Sequence, residues 1–162
     1  MRDRRFVAVH RGGPLAVAEH RLLAFWAADC AEHVLPFFEA DFLDERPRRA
    51  IETARAWARG QVKVGAAQKA ALAAHAAARG VPSSVATAVA RATGHAAATA
   101  HAADHSLGAA LYAMKAVEAA GDLAEVERAW QIEQLPETVQ ELVVSALEKR
   151  RSQGASPDLN GE

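Results

Sequence analysis

Cysteine, aromatic residues and long apolar segments are all scarce in this chain. Its single cysteine, Cys30, cannot form a disulfide within the chain, and no Cys-Cys or Cys-His pair has the spacing of a zinc finger. These features favour a reducing compartment, and we expect cytoplasmic localisation. A membrane-spanning helix needs roughly 18 uninterrupted apolar residues. Because charged residues break every such run, we expect no membrane partner.

Neither sign of charge dominates. The chain has 19 basic and 20 acidic residues, which gives a net charge of -1. A protein that binds nucleic acid normally carries a basic surface, so we expect no nucleic-acid partner. Gly-rich phosphate loops and the Gly-x-Ser-x-Gly turn of serine hydrolases are also absent. The sequence therefore supports no catalytic residues, no enzyme activity and no cofactor.

Alanine, by contrast, is abundant, and it is the residue that most favours helix. At 162 residues the chain is long enough for one domain with a substantial core. We predict an all-α, compact bundle of about six to seven helices around an Ala-rich central helical hairpin, within residues 61–120. Residues 1–152 would form this single domain, and the polar residues 153–162 a disordered tail.

Proline, glycine and serine suggest where the helices begin and end. We predict a first helix from Pro14 to Val34, before Pro36, and a second from Pro47 to Arg59, before Gly60. A third should span residues 65–79, and Ser83 or Ser84 should cap a fourth. Two alternatives stay open for the following segment: one long helix through Gly94 and His105, or a break with Ser106 as the cap.

The spacing of apolar residues predicts which sides of the helices are buried. In the second helix it places Trp57 in the core. In a later helix, over residues 123–132, it turns Leu123, Val126 and Trp130 inward. The final helix should reach about Arg151. Its inward stripe should consist of Val139, Leu142, Val143, Ala146 and Leu147.

Two features could carry chemistry. His101 and His105 lie four residues apart with Asp104 between them, so on a continuous helix they share one face. This is a spacing of zinc-binding helices, but Ala102 stands where the HExxH motif has its catalytic glutamate. We interpret the His101, Asp104 and His105 face as a polar site inside the bundle and assign no metal. A small-ligand or metal site remains the alternative.

The second feature is basic. Arg46, Arg48 and Arg49 flank Pro47 at the start of the second helix. Arginine is enriched at protein interfaces and pairs well with carboxylates. We predict that these three residues contact a protein partner.

Several segments, in collinear order over about residues 20–145, resemble one bacterial family. They read WAADCAEHVLPFFE (Trp26–Glu39), DERPRRAIETARAWARG (Asp44–Gly60), AALAAHAAARG (Ala70–Gly80), RATGHAAATAHAADHSLGAALYAMKAV (Arg91–Val117) and AWQIEQLPETV (Ala129–Val139). They are similar to the bacterial putative immunity proteins with an Imm-5-like domain.

This resemblance implies a helical, non-catalytic protein of a polymorphic toxin system, which binds and neutralises a cognate protein toxin. It transfers no catalytic residues. Two other functions stay open: a helical metal- or small-ligand-binding protein that uses the His101 face, and a general helical interaction scaffold. The sequence leaves the oligomeric state open.

Overall fold

Seven α-helices make up most of residues 2–154, which are the residues that the computed structural model describes. Two short 3-10 turns, Arg4–Phe6 and Val9–Arg11, precede them. The helices are α1 (Val17–Glu39), α2 (Arg46–Ala58), α3 (Val64–Arg79), α4 (Ser84–Ala98), α5 (His105–Ala119), α6 (Ala124–Glu133) and α7 (Glu137–Ser152). The described residues contain no strand, which confirms the all-α prediction. Most of the predicted tail, residues 155–162, lies outside the described residues.

Local signals predicted several helix ends to within a residue. α2 has a proline in its first turn, and it is followed by Gly60 with a φ of 75°, a left-handed conformation that favours glycine. At the start of α4, Ser83 Oγ accepts a 3.2 Å hydrogen bond from the Ala86 amide. These ends depend on neighbouring residues only.

The alanine-rich hairpin of α4 and α5 lies at the centre of the bundle. The prediction was wrong for α3, which falls in the same range of residues 61–120 but packs mainly against α2 and α4 and leaves Leu72 70% exposed. α4 packs against α1, α2, α3 and α5, and almost all of its second half is buried. α1 belongs to this centre as well, because α2, α4 and α5 all pack against it. No helix within residues 2–154 is both long and apolar enough to cross a membrane.

The predicted limits of α1 were wrong at both ends. The helix begins at Val17 because the backbone of Leu15 is already engaged with Val7 and Val9, through hydrogen bonds of 3.0 and 2.9 Å. It continues through Pro36 to Glu39. Proline costs a helix one hydrogen bond, but here the continued helix fully buries Phe38. Burying a side chain of that size contributes about 1.5–3 kcal/mol.

Trp57 is not a core residue. Its side chain is only partly buried, and its ring lies 4.7 Å from that of His20 between centroids. The buried positions of α2 are instead small or aliphatic, with Ile51 the largest. The predicted core position of Trp57 was therefore wrong.

The predicted orientation of α6 was also wrong. Leu123 and Val126 are 72% and 64% exposed, while Glu127 and Gln131 are buried. Polar bonds fix this orientation: Gln131 Nε2 donates to the Ala110 carbonyl at 2.9 Å, and Trp26 Nε1 donates to the Gln131 carbonyl at 2.8 Å. Breaking such buried bonds would leave unsatisfied polar groups, each at a cost of about 1–3 kcal/mol.

Candidate functional site

The chain breaks its helix between α4 and α5, where three predicted site residues lie. α4 ends at Ala98 and α5 begins at His105, with His101 in the intervening turn and Asp104 as the residue before α5. A hydrogen bond from α1 stabilises the break: His20 Nε2 donates to the Thr99 carbonyl at 2.6 Å. The prediction that His101, Asp104 and His105 share one helix face was therefore wrong. The helix does break here, but Ser106 lies inside α5 and does not cap it.

His101 and His105 are nevertheless neighbours, and two further histidines join them. The ring centroids of His101 and His105 are 5.1 Å apart, as are those of His95 and His105, and His75 lies 5.4 Å from His95. We call these four residues the histidine cluster. Asp104 is turned to a different partner, since its carboxylate forms a 3.0 Å ion pair with Arg2.

Hydrogen bonds restrict the protonation of the cluster. His95 Nδ1 and His105 Nδ1 lie 3.0 Å apart, so one must donate and the other accept. His75 Nδ1 lies 2.8 Å from an Arg91 guanidinium nitrogen, which can only donate, so this ring nitrogen accepts. His75 therefore carries its proton on the other nitrogen when it is neutral.

Burial keeps these rings uncharged near neutral pH. Removal from water disfavours a charged imidazole, and it lowers the pKa of His75 to about 4 and that of His95 to about 3. Burial also lowers the pKa of His105 to about 4, although the nearby Asp104 carboxylate acts in the opposite direction. The cluster is thus a set of neutral imidazoles, which can donate or accept hydrogen bonds.

Two helix glycines make room for the cluster. A Cβ atom on Gly94 would lie 2.7 Å from His75 Nε2, and one on Gly108 would lie 2.6 Å from His95 Nδ1. Glycine inside a helix costs about 1 kcal/mol relative to alanine. The sequence allows four possible third partners of His101 and His105, namely Asp104, His95, His75 and His33. These glycines are the sequence signal that singles out His75 and His95, since each marks a place where another group approaches the backbone closely.

A cavity of about 410 Å³ opens beside the cluster. His75, His101 and His105 contribute to its wall together with Gln68 and Leu72. Of these lining residues, His101 has a buried ring nitrogen, Nδ1, with no hydrogen-bond partner among residues 2–154. The cavity therefore combines apolar surface with imidazole groups, a combination suited to a small polar ligand.

The cluster is not arranged as a metal centre. Within residues 2–154, no group of three or more His, Cys, Asp or Glu side chains is positioned to hold a metal ion. Cys30 lies elsewhere in the core, and burial raises the pKa of its thiol well above the usual value. A thiol in that state is a poor nucleophile.

The three predicted arginines are together on the surface at the start of α2, but each already has an acidic partner. Arg46 pairs with Asp44 at 2.6 Å, Arg49 with Glu45 at 3.1 Å, and Arg48 with Glu39 at the end of α1. The side-chain hydrogen bond with Asp44 raises the pKa of Arg46 further above its usual range. These residues form a zwitterionic patch, and we call it the arginine patch.

One family model matches this chain. The model is described as "Imm-5 like putative immunity protein", and the match covers residues 13–138 of the 162. That range includes the arginine patch, the histidine cluster and the whole of α6. No curated protein and no solved structure matches the chain.

Proposed function

Because this chain belongs to the family of Imm-5 like putative immunity proteins, we propose that it binds a cognate bacterial toxin domain and neutralises it without catalysis. The proposal places the protein in the cytoplasm of the cell that makes the toxin. Neutralisation would follow from occupying the surface that the toxin needs for its activity. A complementary patch on a rigid scaffold is enough for this role, since a few anchor residues carry most of the affinity of an interface.

The family match over residues 13–138 is the observation that carries this proposal. The packing is consistent with a scaffold role: the centre of the bundle is filled by small side chains on α1, α4 and α5, which hold the outer helices close together. Partners that bind to such preformed surfaces do so with little loss of conformational entropy.

The arginine patch is one candidate contact. Because Arg46, Arg48 and Arg49 are ion-paired within the chain, a toxin carboxylate would have to exchange with Asp44, Glu39 or Glu45. Exposed ion pairs are weak and exchange readily. We therefore assign the patch to the rim of the interface, where charges affect the association rate more than the final affinity.

A second candidate function is the binding of a small polar ligand at the histidine cluster. The cavity of about 410 Å³ favours it, together with the unpartnered Nδ1 of His101, which is one of the lining residues. Pockets of about 300–1,000 Å³ hold small molecules in many proteins. The two functions are compatible, because the cavity is lined by α3 and the α4–α5 corner rather than by the arginine patch.

The experiment that tests the main proposal is copurification. The genes that neighbour this one are searched for a toxin domain, which is then expressed with this chain and isolated through a tag on the toxin only. A stoichiometric complex that survives size-exclusion chromatography supports the proposal. Two separate peaks, with both proteins folded, would contradict it.

A further inference from the structure

We propose that the groove between the C-terminal half of α1 and the start of α6 is the docking site for an apolar segment of the toxin that is flanked by Lys or Arg. This inference rests on the proposed function and adds to it the surface and the chemistry of the partner. We call the site the α1–α6 groove, defined by His33, Phe37, Val117, Asp122, Leu123 and Val126.

The α1–α6 groove exposes large apolar side chains to solvent. Phe37 is 36% exposed, Leu123 72% and Val126 64%, and all three line one concave volume of about 420 Å³. Single exposed aliphatic residues are ordinary on protein surfaces, but several around one cavity are typical of an interaction site. Each would lose water contact when a partner docks.

The orientation that exposes these residues is fixed by specific polar contacts. On the buried side of α6, Glu127 accepts hydrogen bonds from His33 Nδ1 at 2.9 Å, and the His33 ring stacks on Trp130 at 3.5 Å between centroids. Gln131 is tied to the α5 backbone one turn further on. A helix that only needed to bury apolar surface would turn Leu123 and Val126 inward. This one buries a glutamate and a glutamine instead, so its aliphatic side remains available.

Charge identifies the kind of partner. Residues 116–127 contain four acidic side chains and no Lys or Arg. Glu125 and Glu127 are paired, with Arg151 and His33. Glu118 and Asp122 have no ion pair with any residue in 2–154, and Asp122 lines the groove itself. An apolar floor beside the unpaired Asp122 carboxylate is complementary to an apolar side chain with a Lys or Arg next to it.

The arginine patch lies near the same end of α1 but on a different side of the helix. Arg48 pairs with Glu39, the last residue of α1, and Phe37 of the groove lies two residues earlier, so the side chains of Phe37 and Glu39 do not face each other. The proposed docking site therefore consists of the groove's own apolar and acidic residues, without the arginines.

The test compares two pairs of exposed aliphatic residues in different places. The probe is the toxin domain found by the same search of the neighbouring genes, and its dissociation constant is measured by isothermal titration calorimetry. The double variant Leu123→Glu, Val126→Glu should bind at least about tenfold more weakly, because it places charge at the centre of the contact. Val9→Glu, Val17→Glu is the matched control, since it adds the same charge at residues that are 54% and 55% exposed and that line neither the α1–α6 groove nor the histidine cavity. It should bind like the wild type.

Thermal unfolding followed by circular dichroism shows whether the variants are folded. If the glutamate variant is unfolded, the variant Leu123→Ala, Val126→Ala takes its place. Its affinity for the toxin domain should still fall by about fivefold or more, because it removes the anchors without adding charge. Asp122→Lys should slow association, with a larger effect at low salt.

The outcomes separate the two proposals. Wild-type affinity in a folded Leu123, Val126 variant would overturn the groove as the docking site and leave the neutralising function standing. An equal loss of affinity in Val9→Glu, Val17→Glu would show that the loss does not come from the groove, and it would also overturn the inference. Failure of the wild-type chain to bind the toxin domain would overturn the proposed function, and this inference with it.

Discussion

Gly108 of α5 lies directly against the ring of His95 in α4, because a Cβ atom at position 108 would stand 2.6 Å from His95 Nδ1. Real side chains do not approach that closely. The imidazole therefore occupies the space that any other residue at position 108 would fill. His95 is also stacked on Tyr112 on the same helix as Gly108, at 5.1 Å between ring centroids.

We expect Gly108→Ala to lower the free energy of unfolding by about 1–3 kcal/mol, the usual cost of overpacking a core. The added methyl group must displace His95, which is hydrogen-bonded to His105. Gly65→Ala is the control, because Gly65 lies in α3 with no atom near its missing Cβ. It should leave the stability unchanged or raise it by up to about 1 kcal/mol. Urea unfolding measures both, and equal stabilities for the two variants would contradict the close approach of His95.

The neutral histidine cluster should make the protein sensitive to acid. His75, His95 and His105 have folded-state pKa values of about 4, 3 and 4, while an unfolded histidine titrates near 6.5. Below pH 6.5 the unfolded chain therefore binds more protons than the folded one. The contribution of these histidines to the free energy of unfolding should be fully present above about pH 6.5. It should fall as the pH decreases towards 4, and each histidine should lower the free energy of unfolding by up to about 1.4 kcal/mol per pH unit.

The measurement is urea unfolding at a series of pH values between 7 and 4. His95→Gln should flatten the curve, because glutamine does not titrate. His10→Gln, at an exposed position in the N-terminal segment, is the matched control and should leave the slope unchanged. A curve for His95→Gln that is parallel to the wild type would mean that His95 takes up no proton on unfolding.

Metal content tests the histidine cluster directly. We expect protein purified without added metal to contain no stoichiometric zinc, because no described group of ligands is arranged to hold it. A chelator should not shift the melting curve, since a structural metal would add its binding energy to folding. Stoichiometric metal in the wild type that is lost in the double variant His101→Ala, His105→Ala would contradict a metal-free histidine cluster.

The arginine patch should contribute modestly to toxin binding. Reversing the charge of Arg46, Arg48 and Arg49 to Glu leaves Asp44, Glu39 and Glu45 without their partners on an exposed surface. We expect the chain to stay folded and the affinity for the toxin to fall by about two- to fivefold, mainly through the association rate. Arg59→Glu, at the exposed end of α2, is the control. Equal affinity of the triple variant and wild type at several salt concentrations would exclude the patch from the interface.

Sequence patterns predicted the parts of this fold that depend on near neighbours. The ends of α2 and α4 follow from Pro47, Gly60 and Ser83, whose effects act within one turn of helix. The proximity of His101 and His105 was predictable for the same reason, even though the helix between them is broken. The stripe of α7 is also local, and Val139, Val143 and Leu147 are buried as expected.

The orientation of α6 could not be predicted in this way. It depends on His33, which is 94 residues away from Glu127, and on the α5 carbonyl that binds Gln131. Apolar spacing assigns Leu123 and Val126 to the core because it does not register distant polar partners. Similarly, His75 and His95 join the cluster only through packing of α3 and α4, and the acidic partners of Arg48 and Arg55 come from α1.

Growth protection tests the neutralising function most directly. Where a toxin domain is found beside this gene, bacterial cells that express it should stop growing, and coexpression of this chain from a second promoter should restore growth. The Leu123→Glu, Val126→Glu variant should protect less well than Val9→Glu, Val17→Glu at the same protein level. Continued growth arrest in cells that contain both the active toxin and the folded wild-type chain would contradict the account.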